Sequence, residues 1–249
     1  MGQHFLADPN IASKIAHSLT AGAEFKYVLE IGPGTGMLTR FLLEQPEINW
    51  YGIELDRDSV AYLQETYPET KDRIILGDFL KFDPETCFGT SPYAVIGNFP
   101  YNISSQILFR VLSRRQQVPE VVGMFQKEVA RRIAAPPGNK EYGILSVLMQ
   151  AFYDVKLLFD VEPHVFIPPP KVKSSVIRCL RKADISLECD EKMFFTVVKT
   201  AFNQRRKTLR NSLKGMNVDW QGLPGHLAGE RPEQLDVPAF VEITRHSGL

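Results

Sequence analysis

The 249 residues are 44% apolar, enough for one large core or for a full domain with a smaller companion. Lys plus Arg and Asp plus Glu each number 29, so the net charge is zero and the composition alone gives no pull toward nucleic acid; such a partner must be argued from local charge. No apolar run is long enough to span a bilayer, the opening residues are too interrupted by polar groups for a secretory signal, and Cys87, Cys179 and Cys189 make no metal-spaced set, which fits a reducing compartment and a cytoplasmic location.

Asp8 to Thr20 predicts a capped helix, with Asp8 or Asn10 near its start and Ile11, Ile15 and Leu19 on one face. The period then alternates. Tyr27 to Ile31 predicts a strand, Met37 to Leu43 a helix, Trp50 to Ile53 a strand, Ser59 to Tyr67 a helix, and Ile74 to Leu76 and Tyr93 to Ile96 further strands, the pattern of a parallel sheet wound by helices. Ser104 to Leu112 continues with a helix, Val121 to Phe125 with a central strand, Ala130 to Ala135 with part of a helix and Tyr142 to Phe152 with an apolar helix. Late strands fall at Val155 to Phe159 and Ser174 to Leu180, separated by the rigid Ile167-Pro168-Pro169-Pro170 connection. From about Lys182 the texture becomes helical, with Glu191 to Phe202, Lys207 to Leu213 and short Gly/Pro-punctuated helices beyond. This places a main domain at residues 1–182 and a small helical domain at 183–249.

Glu30-Ile31-Gly32-Pro33-Gly34-Thr35-Gly36 closes the first main strand and opens a helix, where Gly32, Gly34 and Gly36 let the backbone approach a ligand. The spacing is GxGxG with Pro33 in the turn, a poor dinucleotide fingerprint. Glu54 ends the next strand, the usual place for a carboxylate that accepts ribose hydroxyls. Asp78 ends the third, where it can accept an adenine amino hydrogen. Each alone would serve as an ordinary cap or loop residue. Together, without a phosphate cradle, they favour S-adenosylmethionine over a nucleoside triphosphate, with NAD the weaker alternative.

Asn98-Phe99-Pro100-Tyr101 follows the fourth of these strands. The Asn98 side-chain oxygen and the Pro100 carbonyl suit the two hydrogens of an exocyclic amine, and Tyr101 suits stacking on a flat base held outside an RNA stack. Asn98 works by geometry, since an amide does not titrate near neutrality. The bland alternative makes Asn98 and Pro100 a turn and the aromatics core.

The ordered set Gly2-Gln3-His4-Phe5-Leu6, the glycine turn, Glu54-Leu55-Asp56, Gly77-Asp78 and Asn98-Phe99-Pro100-Tyr101 resembles the KsgA/Dim1 ribosomal RNA adenine dimethyltransferases. Phe125-Gln126-Lys127-Glu128-Val129-Ala130, Pro168-Pro169-Pro170-Lys171-Val172 and Phe202 to Asn211 extend the resemblance over nearly the whole chain. It implies a class I S-adenosylmethionine-dependent methyltransferase, an α/β fold with a Rossmann-like seven-stranded sheet and a small C-terminal helical domain. It implies that Gln3, Phe5, Leu6 and Asn98 border the methionine end of the cofactor, that Glu54, with Leu55, holds ribose, and that Asp78, with Phe79, holds adenine. Phe166 is implied on the opposite face of the target base from Tyr101. The family often has leucine where this chain has Phe99, so extra bulk is expected beside the target pocket.

The implied reaction is dimethylation of two neighbouring adenosines near the 3' end of 16S RNA in a pre-assembled 30S particle, by a chain that is a monomer when free and uses no metal. The residues alone reach only amino-nitrogen methylation. Arg205, Arg206, Lys207, Arg210 and Lys214 form a basic group that, on one helix, would set Arg206 and Arg210 on a shared face for RNA phosphates. Arg114, Arg115, Arg131 and Arg132 are a second candidate group, with Lys127 between them and partly offset by Glu120 and Glu128. Relatives commonly carry a basic leader before the opening block, so fewer leader contacts are expected here. The five histidines, His4, His17, His164, His226 and His246, lack metal-ligand spacing, and His4 is assigned no acid-base chemistry. Two other function classes stand beside this reading: a large-subunit RNA or DNA adenine methyltransferase, and a non-enzymatic RNA-binding assembly or transcription factor on the same fold.

Overall fold

A computed structural model describes residues 4–20 and 24–248. Its first half runs β1 (Phe5–Leu6), α1 (Pro9–Ala16), β2 (Tyr27–Ile31), α2 (Thr39–Leu43), β3 (Asn49–Glu54), α3 (Arg57–Thr66), β4 (Ile74–Leu76), α4 (Glu85–Phe88), β5 (Tyr93–Asn98), α5 (Ser104–Ser113) and β6 (Glu120–Gln126). The second half adds α6 (Lys127–Ala134), α7 (Ile144–Phe152), β7 (Tyr153–Val161), β8 (Phe166–Ile167), β9 (Ser174–Arg181), α8 (Glu191–Asn203), α9 (Leu209–Ser212) and α10 (Val237–Arg245).

Seven strands form one sheet in the order β4-β3-β2-β5-β6-β9-β7. The pairs from β4 through β6 are parallel and β9 runs antiparallel to β6. Val28, Leu29, Val95, Ile96, Val121 and Val122 are fully buried, as expected of central strands covered on both faces, and their continuous apolar runs are what made them legible. Parallel pairing puts the carboxyl ends of β2, β3, β4 and β5 along one edge. The chain winds outward from β2 to β4 and then returns to β5 on the other side of β2, so the crevice where ligands bind such sheets lies between β2 and β5.

A second, two-stranded ribbon joins the front of the chain to the proline-rich connection. In it β1 pairs antiparallel with β8, Phe5 opposite Ile167 and Leu6 opposite Phe166, and the Ala7 N–H donates to the Val165 carbonyl at 2.8 Å. The Ile167–Pro168 peptide is cis. Just beyond β1, Asp8 caps α1 by accepting from the N–H groups of Asn10 and Ile11, with Pro9 at the first helical position. These local devices aim the opening block back across the carboxyl edge of the sheet.

The chain divides into two compact units, one of residues up to Ala130 with Lys156–Arg181, the other of Arg131–Val155 with Lys182–Leu249. The change near residue 182 coincides with the expected boundary, but the helical unit also takes in 131–155, which the sequence reading gave to the main domain. The reason is α7, buried on nearly every side. Its partner α8 buries Phe194, Val197, Val198 and Ala201, the stripe of a half-buried helix. Tyr142 lies 6.2 Å from Phe202, Phe152 stacks 6.3 Å from Phe195, and Phe202 stacks 5.9 Å from Phe240 of α10. Each buried aromatic is worth roughly 1.5–3 kcal/mol, so separating α7 from α8 would expose the core of this unit.

The basic segment is not one helix. α8 ends at Asn203, Gln204 to Arg206 form a turn, and α9 begins only at Leu209, so Arg206 and Arg210 do not share a helical face. Fully buried Leu209 anchors α9, and a continuous helix would stack like charges four residues apart, which is unfavourable.

Candidate active site

The turn after β2 uses glycine where L side chains are strained: Gly32 has φ 67° and Gly34 φ 57°. The Gly32 N–H donates to the Ile53 carbonyl at 2.9 Å and the Gly34 N–H to Glu54 Oε2 at 3.0 Å. A Cβ at Gly34 would sit 3.1 Å from the Phe5 ring, so glycine lets the opening block close over the turn. Glu54 is 5% exposed, and its Oε1 also accepts from the Leu55 N–H at 2.8 Å and the Asp56 N–H at 3.0 Å. Three backbone donors therefore hold this carboxylate in one orientation while Oε2 retains a free acceptor site. On the next strand end the Gly77 N–H bonds the Glu54 carbonyl at 2.8 Å, and Asp78, half-buried, takes the Leu80 N–H at 2.9 Å on Oδ1 alone.

Phe5, Leu6, Gly32, Gly34 and Asn98 line one cleft, together with Glu30 and Thr35, to which the sequence reading gave no role. Glu54, Leu55, Asp78 and Phe79 stand at the adjacent strand ends; Leu55 is 65% exposed and Phe79 is buried. Gly36 serves packing instead, since a Cβ there would fall 2.7 Å from the Tyr67 ring. Gln3 lies outside the described residues.

Glu30 is the electrostatic feature that sequence reasoning missed. Burial pushes its carboxyl up to about 7, against hydrogen bonds from Thr39 and Trp50 and with help from nearby Glu54. Both donors bond Oε2, the Thr39 hydroxyl at 2.7 Å and the Trp50 indole N–H at 2.8 Å. An acidic residue next to the end of an otherwise apolar strand was the available signal. No Lys or Arg is among the described lining residues. A cleft with a carboxyl group and no cation suits a positively charged or zwitterionic ligand and opposes a polyphosphate, so the donor set fits S-adenosylmethionine.

At the end of β5, the Asn98 Nδ2 donates to the His4 carbonyl at 3.0 Å. A carbonyl only accepts, so the amide nitrogen must face it, which leaves Oδ1 unspent on the other side. The Pro100 carbonyl already takes the Ile103 N–H at 3.2 Å and keeps one lone pair. Tyr101 is half-buried, and its hydroxyl shares a 2.6 Å hydrogen bond with Ser174 Oγ. Burial raises its phenol above the usual range, partly offset by Ser174.

Two expectations about the aromatics fail. Phe99 is 1% exposed and points between the strands, edge-on to Phe125 at 5.1 Å, so its bulk goes into the core and not beside the target pocket. The space exists because a Cβ at Gly123 would fall 2.4 Å from the Phe99 ring and one at Gly97 3.0 Å from it. Phe166 is 2% exposed and packs in the core cluster with Leu6 and Val165, so it offers no open face for stacking. Alternation along β8 is the cause: Phe166 turns inward and Ile167, 66% exposed, turns outward.

The basic residues sort by partner. Arg114 is paired with Asp83 at 3.1 Å and Glu85 at 2.8 Å, and half-buried Arg115 donates to the Leu112 carbonyl at 3.1 Å. Arg205 donates to the Lys140 carbonyl at 2.5 Å and lies 3.7 Å from Glu233. Arg131, Arg132, Arg206, Lys207, Arg210 and Lys214 are exposed, all within the helical unit.

A sequence profile described as "Ribosomal RNA adenine dimethylase" matches residues 1–222. The "Ribosomal RNA small subunit methyltransferase A" of Flavobacterium johnsoniae is 56% identical over 245 residues, covering 98% of this chain and 93% of that relative. Its namesake from Cytophaga hutchinsonii is 54% identical over 244 residues, covering 98% and 94%. Among solved structures, a dimethyladenosine transferase from Plasmodium falciparum superposes with a TM-score of 0.78 at 25% identity, covering 96% of each chain. The 23S rRNA methyltransferase ErmE superposes at 0.72 with 26% identity, covering 96% of this chain and 99% of its own. With the class I methyltransferase sheet, the glycine turn and the Asn98 segment in place, the chain belongs to the ribosomal RNA adenine dimethylase family.

Proposed function

We propose that this chain transfers methyl groups from S-adenosylmethionine to the N6 amines of two adjacent adenosines near the 3' end of 16S RNA in a pre-assembled small subunit. The observation that carries the reading is the locked Asn98 amide, whose nitrogen is committed to the His4 carbonyl and whose oxygen is left for a substrate hydrogen. The bound cofactor supplies an electrophilic methyl group. Glu54 holds the ribose hydroxyls, Asp78 accepts from the adenine amine, and Glu30 offsets positive charge beside the glycine turn.

An exocyclic adenine nitrogen is a weak nucleophile because its lone pair is delocalised into the ring. Asn98 Oδ1 and the Pro100 carbonyl accept its two hydrogens, favour a pyramidal nitrogen and aim the lone pair into the cleft. Tyr101 stacks on the extruded base, its ring steadied by the bond to Ser174. Once the methylated nitrogen has shed a proton it regains a lone pair but carries a single hydrogen, so a second methylation needs the pocket to take the first methyl group where one of the two hydrogens had been, with one oxygen still accepting. Arg206, Lys207, Arg210 and Lys214 supply phosphate contacts from the helical unit. The reading places the protein where small subunits mature, in the cytoplasm, as a monomer between encounters. The 50–56% identities to small-subunit enzymes, against 26% to ErmE, favour the small subunit over the large.

Asn98→Ala tests it. The variant is expected to lose roughly 10²–10³-fold in kcat on undermethylated small subunits while its affinity for S-adenosylmethionine stays within about twofold. Turnover like that of the unaltered protein would reject the role given to Asn98.

A further inference from the structure

Resting on the adenine-methylation reading, we propose that His4 is a positioning residue that clamps the acceptor pocket, tying the Asn98–Tyr101 segment to the proline-rich connection. Three contacts converge on it. Its backbone carbonyl accepts from Asn98 Nδ2 at 3.0 Å, its Nδ1 lies 2.8 Å from the Pro168 carbonyl, and its ring centroid is 5.7 Å from that of Tyr101, tilted by 36°. Because the Pro168 oxygen only accepts, Nδ1 carries the proton and donates. The residue after His4 enters the β1–β8 ribbon, so the ribbon and the imidazole hold residue 4 against the Pro168 turn from two directions.

The arrangement makes the direction of the Asn98 oxygen depend on where the His4 carbonyl sits. Free the imidazole from Pro168 and residue 4 loses one of the two holds, imidazole and ribbon, that fix it against the Pro168 turn. Its carbonyl can then drift, the Asn98 amide can rotate, and Tyr101 loses the ring on one flank. Orientation of the acceptor amine suffers, while the glycine turn, Glu54 and Asp78 keep their own backbone partners. The loss should therefore appear in turnover and not in cofactor binding.

The side chain is testable because asparagine places its Nδ2 where histidine has Nδ1, whereas alanine places nothing there. On undermethylated small subunits His4→Ala is expected to lower kcat by about tenfold, the scale of one lost hydrogen bond, with the dissociation constant for S-adenosylmethionine within about twofold. His4→Asn should recover most of that loss. In a Tyr101→Ala background the His4→Ala penalty should shrink, since part of what the His4 ring does is to flank the Tyr101 ring. Unchanged kcat in His4→Ala would overturn the proposal, as would His4→Asn behaving like His4→Ala, or a loss that merely follows weakened cofactor binding and a lowered melting temperature. An unaltered protein inert toward small subunits would instead sink the functional reading beneath it.

Discussion

Glu30 takes both of its hydrogen bonds on one oxygen, from Thr39 and Trp50, and remains at about 7 because burial outweighs them. Its folded value lies above the unfolded 4.5, so the proton is held more tightly in the native state. The stability this confers is present in full below about pH 4.5 and is lost as pH rises toward about 7. Glu120, raised by burial against hydrogen bonds from Thr20, slopes the same way, so the comparison must be with a variant. Melting temperatures of Glu30→Gln are expected to fall less between pH 5 and 7 than those of the unaltered protein; parallel slopes would place the titration elsewhere. A cationic ligand beside Glu30 favours its ionised form, so affinity for S-adenosylmethionine should rise with pH through about 7 and lose that dependence in Glu30→Gln. Isothermal titration in buffers of different ionisation enthalpy would read the proton released on binding.

Phe99 shows how an element can conceal its purpose in sequence. One residue beyond a strand, beside Asn98, an aromatic ring looks like pocket wall; the signal that it is core lay elsewhere, in Gly97 and Gly123, two glycines inside otherwise apolar strands. Gly123→Ala should destabilise the sheet because its Cβ would fall 2.4 Å from the ring. Phe99→Ala should cost about 3–5 kcal/mol through the cavity it leaves. The Gly123→Ala penalty should largely vanish in the Phe99→Ala background, measured as unfolding midpoints of the four proteins; simple additivity would contradict the packing described. Strands such as Tyr27–Ile31 and Ile74–Leu76 were legible to the residue because short, mostly apolar runs rich in Val, Ile and Leu stand between polar and turn-forming segments. The β1–β8 ribbon was not, since two residues have no period and their pairing joins positions about 160 apart. For α10 a signal was present and unused: Asp236 accepts from the Ala239 N–H as a cap, Pro238 follows in the first turn, and Phe240 and Ile243 lie on one face.

Across the whole molecule, a net charge of zero leaves attraction to RNA to a few exposed groups. Arg114 and Arg205 already face carboxylates, which is why a count of cations along the sequence overstated the surface. Charges on Arg206 and Arg210 remain, on the turn and on α9 and not on one helical stripe. Replacing both with glutamine should weaken binding to small subunits and reduce the slope of log affinity against log salt by about 0.7–0.9 for each phosphate contact removed. An unaltered slope would move this surface off the RNA. The division of the chain was only partly legible because α7 is apolar but for Ser146 and Gln150, and its sequence does not say which helices it serves. Labelled methyl transfer to undermethylated small subunits, large subunits and duplex DNA, followed by nucleoside mapping, tests the account most directly. It predicts N6,N6-dimethyladenosine at two adjacent positions near the 3' end of 16S RNA, lost in Asn98→Ala; label in 23S RNA or DNA, or undiminished transfer by that variant, would contradict it.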